Sequence, residues 1–324
     1  MPLPFRNDAN DANDANDAND ANDANDANSG RASGVDAYSG RVTSPLLARA
    51  LQTTHGEITR GYPSVSPVPA QEAVAREARM GRWSRDVRGQ LYAFELLSDL
   101  DFDCANRSLK RRGGNAQIVQ IDPPDYEDKA APENLESALD EVISKAALRP
   151  DRMEEILTQV TLPYAFYAMV LNLQPGRHRY TYELLATVWQ MSTVVVMQFK
   201  HCFGIKRPAD RSPLVQPVLL TPGHGAYPAG HATQGYFAAY VLKKLLRINA
   251  PDDRGNQLDR LAERIAENRV VAGLHYCADN DAGKKLGEAL GDYFCGKCAI
   301  AQGTKPEDYT ALQWLWERAI GEWP

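Results

Sequence analysis

The chain has 324 residues, 44% hydrophobic and 24% charged, a balance that suits one large globular domain or two small ones. Its net charge of −6 includes seven aspartates of an Asn-Asp-Ala repeat; without them the rest stands at +1, so charge balance gives no sign of a nucleic-acid-binding surface. The most apolar stretch, Val160 to Leu173, is too short to cross a bilayer and contains Pro163, and the N-terminus lacks an apolar signal-peptide core. The chain therefore reads as soluble, cytoplasmic or otherwise, without an integral membrane segment.

Residues 7–28 are Asn-Asp-Ala triplets with nothing to bury, and residues 29 to about 70 remain rich in Ser, Gly and Pro. Residues 1–70 are thus expected to be a mostly disordered N-terminal segment, or an extended arm, ahead of an all-α domain of residues 71–324. Ala73, Val74, Ala78 and Met80 open a helical period, continued by Leu91, Phe94, Leu97 and Leu100. Arg107 to Gly114 reads as a basic loop, and the proline-rich residues 121–133 as a connection.

Leu135, Leu139, Val142, Ile143 and Ala146 predict a helix ending before Pro150. Asp151 is placed to cap the next, which Pro163 would kink and Pro175-Gly176 would end. Tyr182 to Phe199 is apolar around its whole circumference, the pattern of a central helix, and it delivers Lys200. Further helices are expected at about 230–247, 257–272, 280–297 and 305–320. No convincing alternating strand is seen.

Five cysteines (Cys104, Cys202, Cys277, Cys295, Cys298) form no evident framework, so free thiols in a reducing compartment are expected. Cys295-x2-Cys298 is at most half a zinc site.

Three clusters carry chemistry. Lys200-x6-Arg207-Pro208 supplies two cations, the first from a helix end and the second from the turn after Gly204. In Tyr227-Pro228-Ala229-Gly230-His231, Gly230 opens a helix whose free N–H groups attract anions, and the helix dipole disfavours protonation of His231. In Arg269-x5-His275-x3-Asp279, Asp279 can hold one ring nitrogen of His275 and free the other. On a continuous helix Arg269 and His275 would lie about 240° apart, so a break at Gly273 is expected. A metal site built on His201, His224, His231, His275 and Asp279 would leave the three cations unexplained.

Taken together, residues 200–287 resemble the signature of the type 2 phosphatidic acid phosphatase and vanadium-dependent haloperoxidase superfamily: Lys-x6-Arg-Pro, Pro-Ser-Gly-His, Ser-Arg-x5-His-x3-Asp. The resemblance implies an all-α helical bundle of the acid phosphatase and vanadium haloperoxidase type. It also implies that Lys200, Arg207, Gly230 and Arg269 hold phosphate or vanadate. His275 would be the phosphorylated nucleophile or the axial vanadium ligand, Asp279 its orienter and His231 the acid–base group. Ala229 and Asn268 depart from the pattern, each standing where the family has Ser, which removes a hydroxyl donor.

His224, seven residues before His231, resembles a second histidine of the family's bromoperoxidases. On that ground a vanadate-dependent haloperoxidase using peroxide and bromide-type halide is the first expectation. A soluble acid phosphatase acting on phosphomonoesters, needing no cofactor, is the alternative, and close cluster spacing favours it. The resemblance also allows a homo-oligomer.

Overall fold

The computed structural model describes residues 45–58, 60, 79–114, 116–248 and 252–324. The Asn-Asp-Ala repeat and the helix expected to open at Ala73, Val74 and Ala78 lie outside these. The chain divides into two compact units, one of residues 1–90 with 175–177 and one of 91–174 with 178–324.

In the first unit, Pro45–Ile58 forms helix α1 within the stretch read as an arm; Leu46, Leu51 and Ile58 are exposed on it. Helix α2, Arg85–Leu97, begins here, and its buried Arg88 donates to the carbonyls of Met80 and Trp83.

The second unit is mostly helical, as expected. Strands β1 (Leu100–Asp103), β2 (Ser108–Arg111) and β3 (Gln117–Gln120) add a small antiparallel sheet that periodicity did not foresee. Leu100 pairs with Arg111 and Leu109 with Val119. Strands of four residues are too short to stand out by periodicity, and half of the expected basic loop is β2.

Helices α3 (Pro132–Lys145), α4 (Arg149–Thr158) and α5 (Tyr164–Leu171) follow. Asp151 does not cap α4; Leu148 stands at that position and Asp151 lies in the first turn, where its charge favours the helix dipole. Pro163 does not kink a helix but starts a new one as the residue before α5. That helix ends at Asn172 in the left-handed conformation, ahead of Pro175.

Helix α6, Arg179–Phe203, runs through the core with Leu184, Leu185, Val188, Met191, Val195, Val196 and Phe199 buried. Its N-terminus is closed from the far end of the chain: Glu322 accepts from the Tyr180 and Thr181 N–H groups and from the Thr181 hydroxyl. Gly204, at φ 61°, ends it by a left-handed cap.

Helices α7 (Gly230–Leu245), α8 (Asp253–Val271) and α9 (Cys277–Cys298) complete the core with α10 (Ala311–Ile320). Helix α7 packs against α6, α8 and α9. It meets α9 along Gly283, Gly287 and Gly291, each one turn from the next. A Cβ at Gly287 would stand 2.5 Å from the Thr233 carbonyl oxygen and 3.0 Å from the Phe237 nitrogen, both backbone atoms that cannot step aside. Gly287→Ala should therefore destabilise the protein by about 1–3 kcal/mol, as overpacking does, read as a lowered urea midpoint with an unchanged slope. Close approach of these helices brings the first turn of α7 beside the first turn of α9.

Cys104 and Cys202 are joined in a disulfide, which corrects the expectation of free thiols for that pair; Cys277, Cys295 and Cys298 are free. Ninety-eight residues apart, the two show no spacing signal, and their pairing removes the basis for inferring a reducing compartment. The bridge ties the turn after β1 to the last turn of α6, beside Phe102 packed edge-on against Phe199 at 4.8 Å. Closing so long a loop, it should contribute about 2–5 kcal/mol, so dithiothreitol should lower the melting temperature, and the Cys104→Ala, Cys202→Ala double variant should melt lower from the start and show no further response to dithiothreitol. Among the described residues no helix is long and apolar enough to cross a membrane.

Candidate active site

The last turn of α6 carries Lys200, 3% exposed, whose Nζ donates to the carbonyls of Gly225 (2.8 Å) and Ala226 (2.6 Å). After Gly204 the chain reverses and presents Arg207 in an extended conformation, its N–H held by Asp210 at 3.0 Å. The Arg207 guanidinium reaches the third cluster and the loop that leads into the second. Nε donates to the His224 carbonyl at 3.0 Å and Nη1 to the Leu274 carbonyl at 2.9 Å, while Nη1 stands 3.4 Å from His275 Nε2. Burial, then the neighbouring Arg207, holds Lys200 well below the ordinary lysine range, with Asp279 opposing.

Ala229 stands before α7 without a side-chain cap, and its N–H donates to the Asp279 carbonyl at 2.9 Å. Its methyl is fully buried and packs with Ala232 and Ala266, so the interior takes the place of a serine hydroxyl. A Cβ on Gly230 would meet only Val196 Cγ1, at 3.8 Å. Protein packing thus does not demand that glycine, and the space before it stays open beside the N–H groups of a helix start.

His231 lies in the same turn. Its Nε2 is buried without a partner, the ring meets the backbone of Val160 and Gln159, and Trp189 packs edge-on against it at 5.9 Å. Burial, reinforced by Arg269, pushes it down to about 3, so the ring is neutral when no anion is present.

Arg269, 1% exposed, donates through Nη2 to the Ile156 carbonyl at 2.8 Å, but its Nε is buried with no partner. Helix α8 breaks where expected: Gly273 takes φ 81°, and the Leu274 N–H returns to the Arg269 carbonyl at 3.0 Å. Neighbours crowd Gly273 so closely that a Cβ would lie 3.0 Å from Val215. Arg149 pins this corner through the Val271, Val215 and Gln216 carbonyls.

The break delivers His275 with Nδ1 2.9 Å from Asp279 Oδ2. Their pairing comes from an N-terminal cap rather than one helix face: Tyr276 precedes α9, and Asp279, third in it, reaches back to the Tyr276 N–H at 3.1 Å. Burial, then Lys200, holds His275 well below the usual histidine value. Burial raises Asp279 to about 6, opposed first by a hydrogen bond from Tyr126.

The fold therefore brings Lys200, Arg207, Arg269, His275 and Asp279, all buried, together with half-buried Gly230 and His231. Asp279 offsets the charges of Lys200 and Arg207, whereas Arg269 has no carboxylate beside it among the described residues, and both Arg269 Nε and His231 Nε2 lack partners. A buried guanidinium N–H without a partner, beside buried charges, calls for an anion. His224 sits at the edge, more exposed, with Nδ1 3.1 Å from Arg207 Nη2. Asn268 faces away: its amide donates to Glu155 and Gln159, both at 2.9 Å, in a network that Arg264 and Arg152 complete. Among the described residues, no three His, Cys, Asp or Glu side chains gather as a metal site. Sequence reasoning missed Tyr126, whose hydroxyl reaches Asp279 Oδ1 at 2.5 Å, because only the tertiary fold brings together residues so distant in the chain.

No protein-family model matches the chain. A vanadium-dependent bromoperoxidase of Ascophyllum nodosum is 32% identical over 94 residues, covering 22% of this chain and 17% of that protein. A non-specific acid phosphatase of Salmonella typhimurium is 30% identical over 102 residues, covering 32% of this chain and 35% of that protein. The alignments thus span about a sixth and a third of these relatives' lengths. Two solved structures share a looser likeness. A transmembrane PAP2-type phosphatidylglycerolphosphate phosphatase from Bacillus subtilis has TM-score 0.40 and 15% identity, over 55% of this chain and 92% of that one. A bacterial vanadium-dependent iodoperoxidase has TM-score 0.44 and 17% identity, over 80% and 68%.

Proposed function

Because the chain belongs to the type 2 phosphatidic acid phosphatase and vanadium-dependent haloperoxidase superfamily, we propose that its pocket hydrolyses phosphomonoesters in two steps through a phosphohistidine at His275. One observation carries this reading. Two histidines meet the pocket with opposite preparation, buried His275 held by a carboxylate on Nδ1 and His231 held by none, its buried Nε2 unpartnered.

Lys200, Arg207, Arg269 and the N–H groups at Gly230 take the nonbridging phosphoryl oxygens, aimed in advance at charge that builds in the transition state. Asp279 keeps the proton on His275 Nδ1, so the Nε2 lone pair attacks phosphorus in line with the departing alcohol. As the N–P bond forms and the P–O bond breaks, His231 Nε2 gives its proton to the leaving oxygen. Neutral His231 then accepts a proton from water, whose oxygen attacks phosphorus, expelling His275 and yielding inorganic phosphate. Dividing the reaction lets one basic group serve each half in turn.

Halide oxidation is the second reading. The residues present fit vanadate, since Lys200, Arg207, Arg269 and Gly230 suit a tetrahedral oxyanion and His275 Nε2 would be its protein ligand. Vanadate, when bound, supplies the centre at which peroxide is activated toward halide. His224 favours this reading, as a further proton-handling group at the mouth beyond what phosphoryl transfer needs. It takes second place because the Arg207 Nη2 donor engages His224 Nδ1, leaving it as a partner of the clamp.

Two assays on one preparation decide the order. Hydrolysis of p-nitrophenyl phosphate by vanadate-free enzyme is expected. Peroxide-dependent bromide oxidation after vanadate loading, with no hydrolysis at any pH, would reverse the order; absence of both would leave an oxyanion-binding protein.

A further inference from the structure

Residues 121–127 turn out to be a strap across the site. The Asp122 carbonyl accepts from the Tyr227 hydroxyl at 2.6 Å, Glu127 pairs with Arg211, and Tyr126 donates to Asp279 Oδ1 at 2.5 Å. One short segment thereby touches residues belonging to, or just after, all three clusters. Tyr126 is 3% exposed, and its ring lies against that of Tyr276 with centroids 4.2 Å apart, so the hydroxyl is itself held in place.

We propose that Tyr126 is a positioning residue for phosphoryl transfer, fixing the plane of the Asp279 carboxylate and through it the aim of His275. The proposal rests on the phosphatase reading above. The terminal torsion of an aspartate is broad and only weakly staggered. His275 Nδ1 and the Tyr276 N–H both meet the same oxygen, Oδ2. Two partners on one oxygen hold that atom but leave the other free to swing. Tyr126 takes Oδ1, so the carboxylate is held at both ends and the His275 ring cannot follow a rotation of its partner. The Tyr126 hydroxyl bonds Asp279 and not the cations Lys200, Arg207 or Arg269, which separates its role from that of the clamp. Groups of this kind behind a reacting histidine act through its orientation.

Tyr126→Phe keeps the ring and removes only the donor. Its kcat for p-nitrophenyl phosphate should fall about 10- to 100-fold, with KM changed less than about twofold because the anion clamp is intact. The downfield proton resonance of His275 Nδ1–H, assigned by its loss in His275→Asn, should shift in the resting enzyme. An unchanged kcat and resonance would overturn the proposal, as would a lower melting temperature with the resonance unmoved. If Tyr126→Phe does not fold, 3-fluorotyrosine at position 126 alters the donor without removing it; a shifted resonance supports the proposal and an unmoved one overturns it. Should the wild-type enzyme hydrolyse no phosphoester, the phosphatase reading fails, while the resonance alone still decides whether Tyr126 positions His275.

Discussion

Replacing His275 with Ala should lower turnover by about 10⁴-fold or more, the loss expected when a covalent nucleophile is removed from a site whose remaining groups act with it. Stability should change far less, because His275 touches the core mainly through Asp279 and Arg207. Binding of inorganic phosphate should weaken only modestly, since Lys200, Arg207, Arg269 and Gly230 remain. That separation distinguishes a nucleophile from a fold-supporting histidine. A variant that loses phosphate binding and melting temperature together would assign His275 to scaffolding. Asp279→Ala is a poor substitute for this test, because Asp279 also accepts from Tyr126 and caps α9.

His231→Ala should cost about 10²–10⁴-fold in kcat, the range of a general acid. The loss should be largest for alkyl phosphates and smallest for p-nitrophenyl phosphate, whose leaving group needs little proton. The pH dependence follows from the environment of the ring. Burial and Arg269 hold His231 down to about 3 in the free enzyme, whereas a bound anion offsets the Arg269 charge and raises it. The active form is protonated, so activity is lost as pH rises through this group. The basic limb of kcat/KM, which reports free enzyme, should therefore lie at lower pH than the basic limb of kcat. In His231→Ala the basic limb of kcat should vanish. A limb that persists there, or equal losses for good and poor leaving groups, would remove His231 from the role.

The clusters were readable because their chemistry is tied to local spacing. Gly273 showed where α8 must break to bring His275 around to Arg269, and Gly204 showed where α6 must stop after Lys200. Long apolar periods such as that of α6 likewise foretold the bundle. What was not readable depends on contacts between distant segments. The Tyr126–Asp279 hydrogen bond and the Cys104–Cys202 bridge join residues with no shared local pattern. Neither departure from the family pattern carried its explanation in the sequence: Asn268 is claimed by Glu155 and Gln159, and Ala229 by a small-residue contact with Ala232 and Ala266. Ranking of the two reactions leaned on His224, whose contact with Arg207 its position in the chain did not show.

The most direct test of the central claim is peptide mass spectrometry on enzyme quenched in alkali during phosphoester turnover, conditions under which phosphohistidine survives. A phosphoryl group on His275 is the predicted result, absent from His275→Ala and accumulating in His231→Ala with activated substrate. Turnover with the phosphoryl group on another residue, or with none trapped at any time point, would contradict the assignment of His275 as the bonding atom.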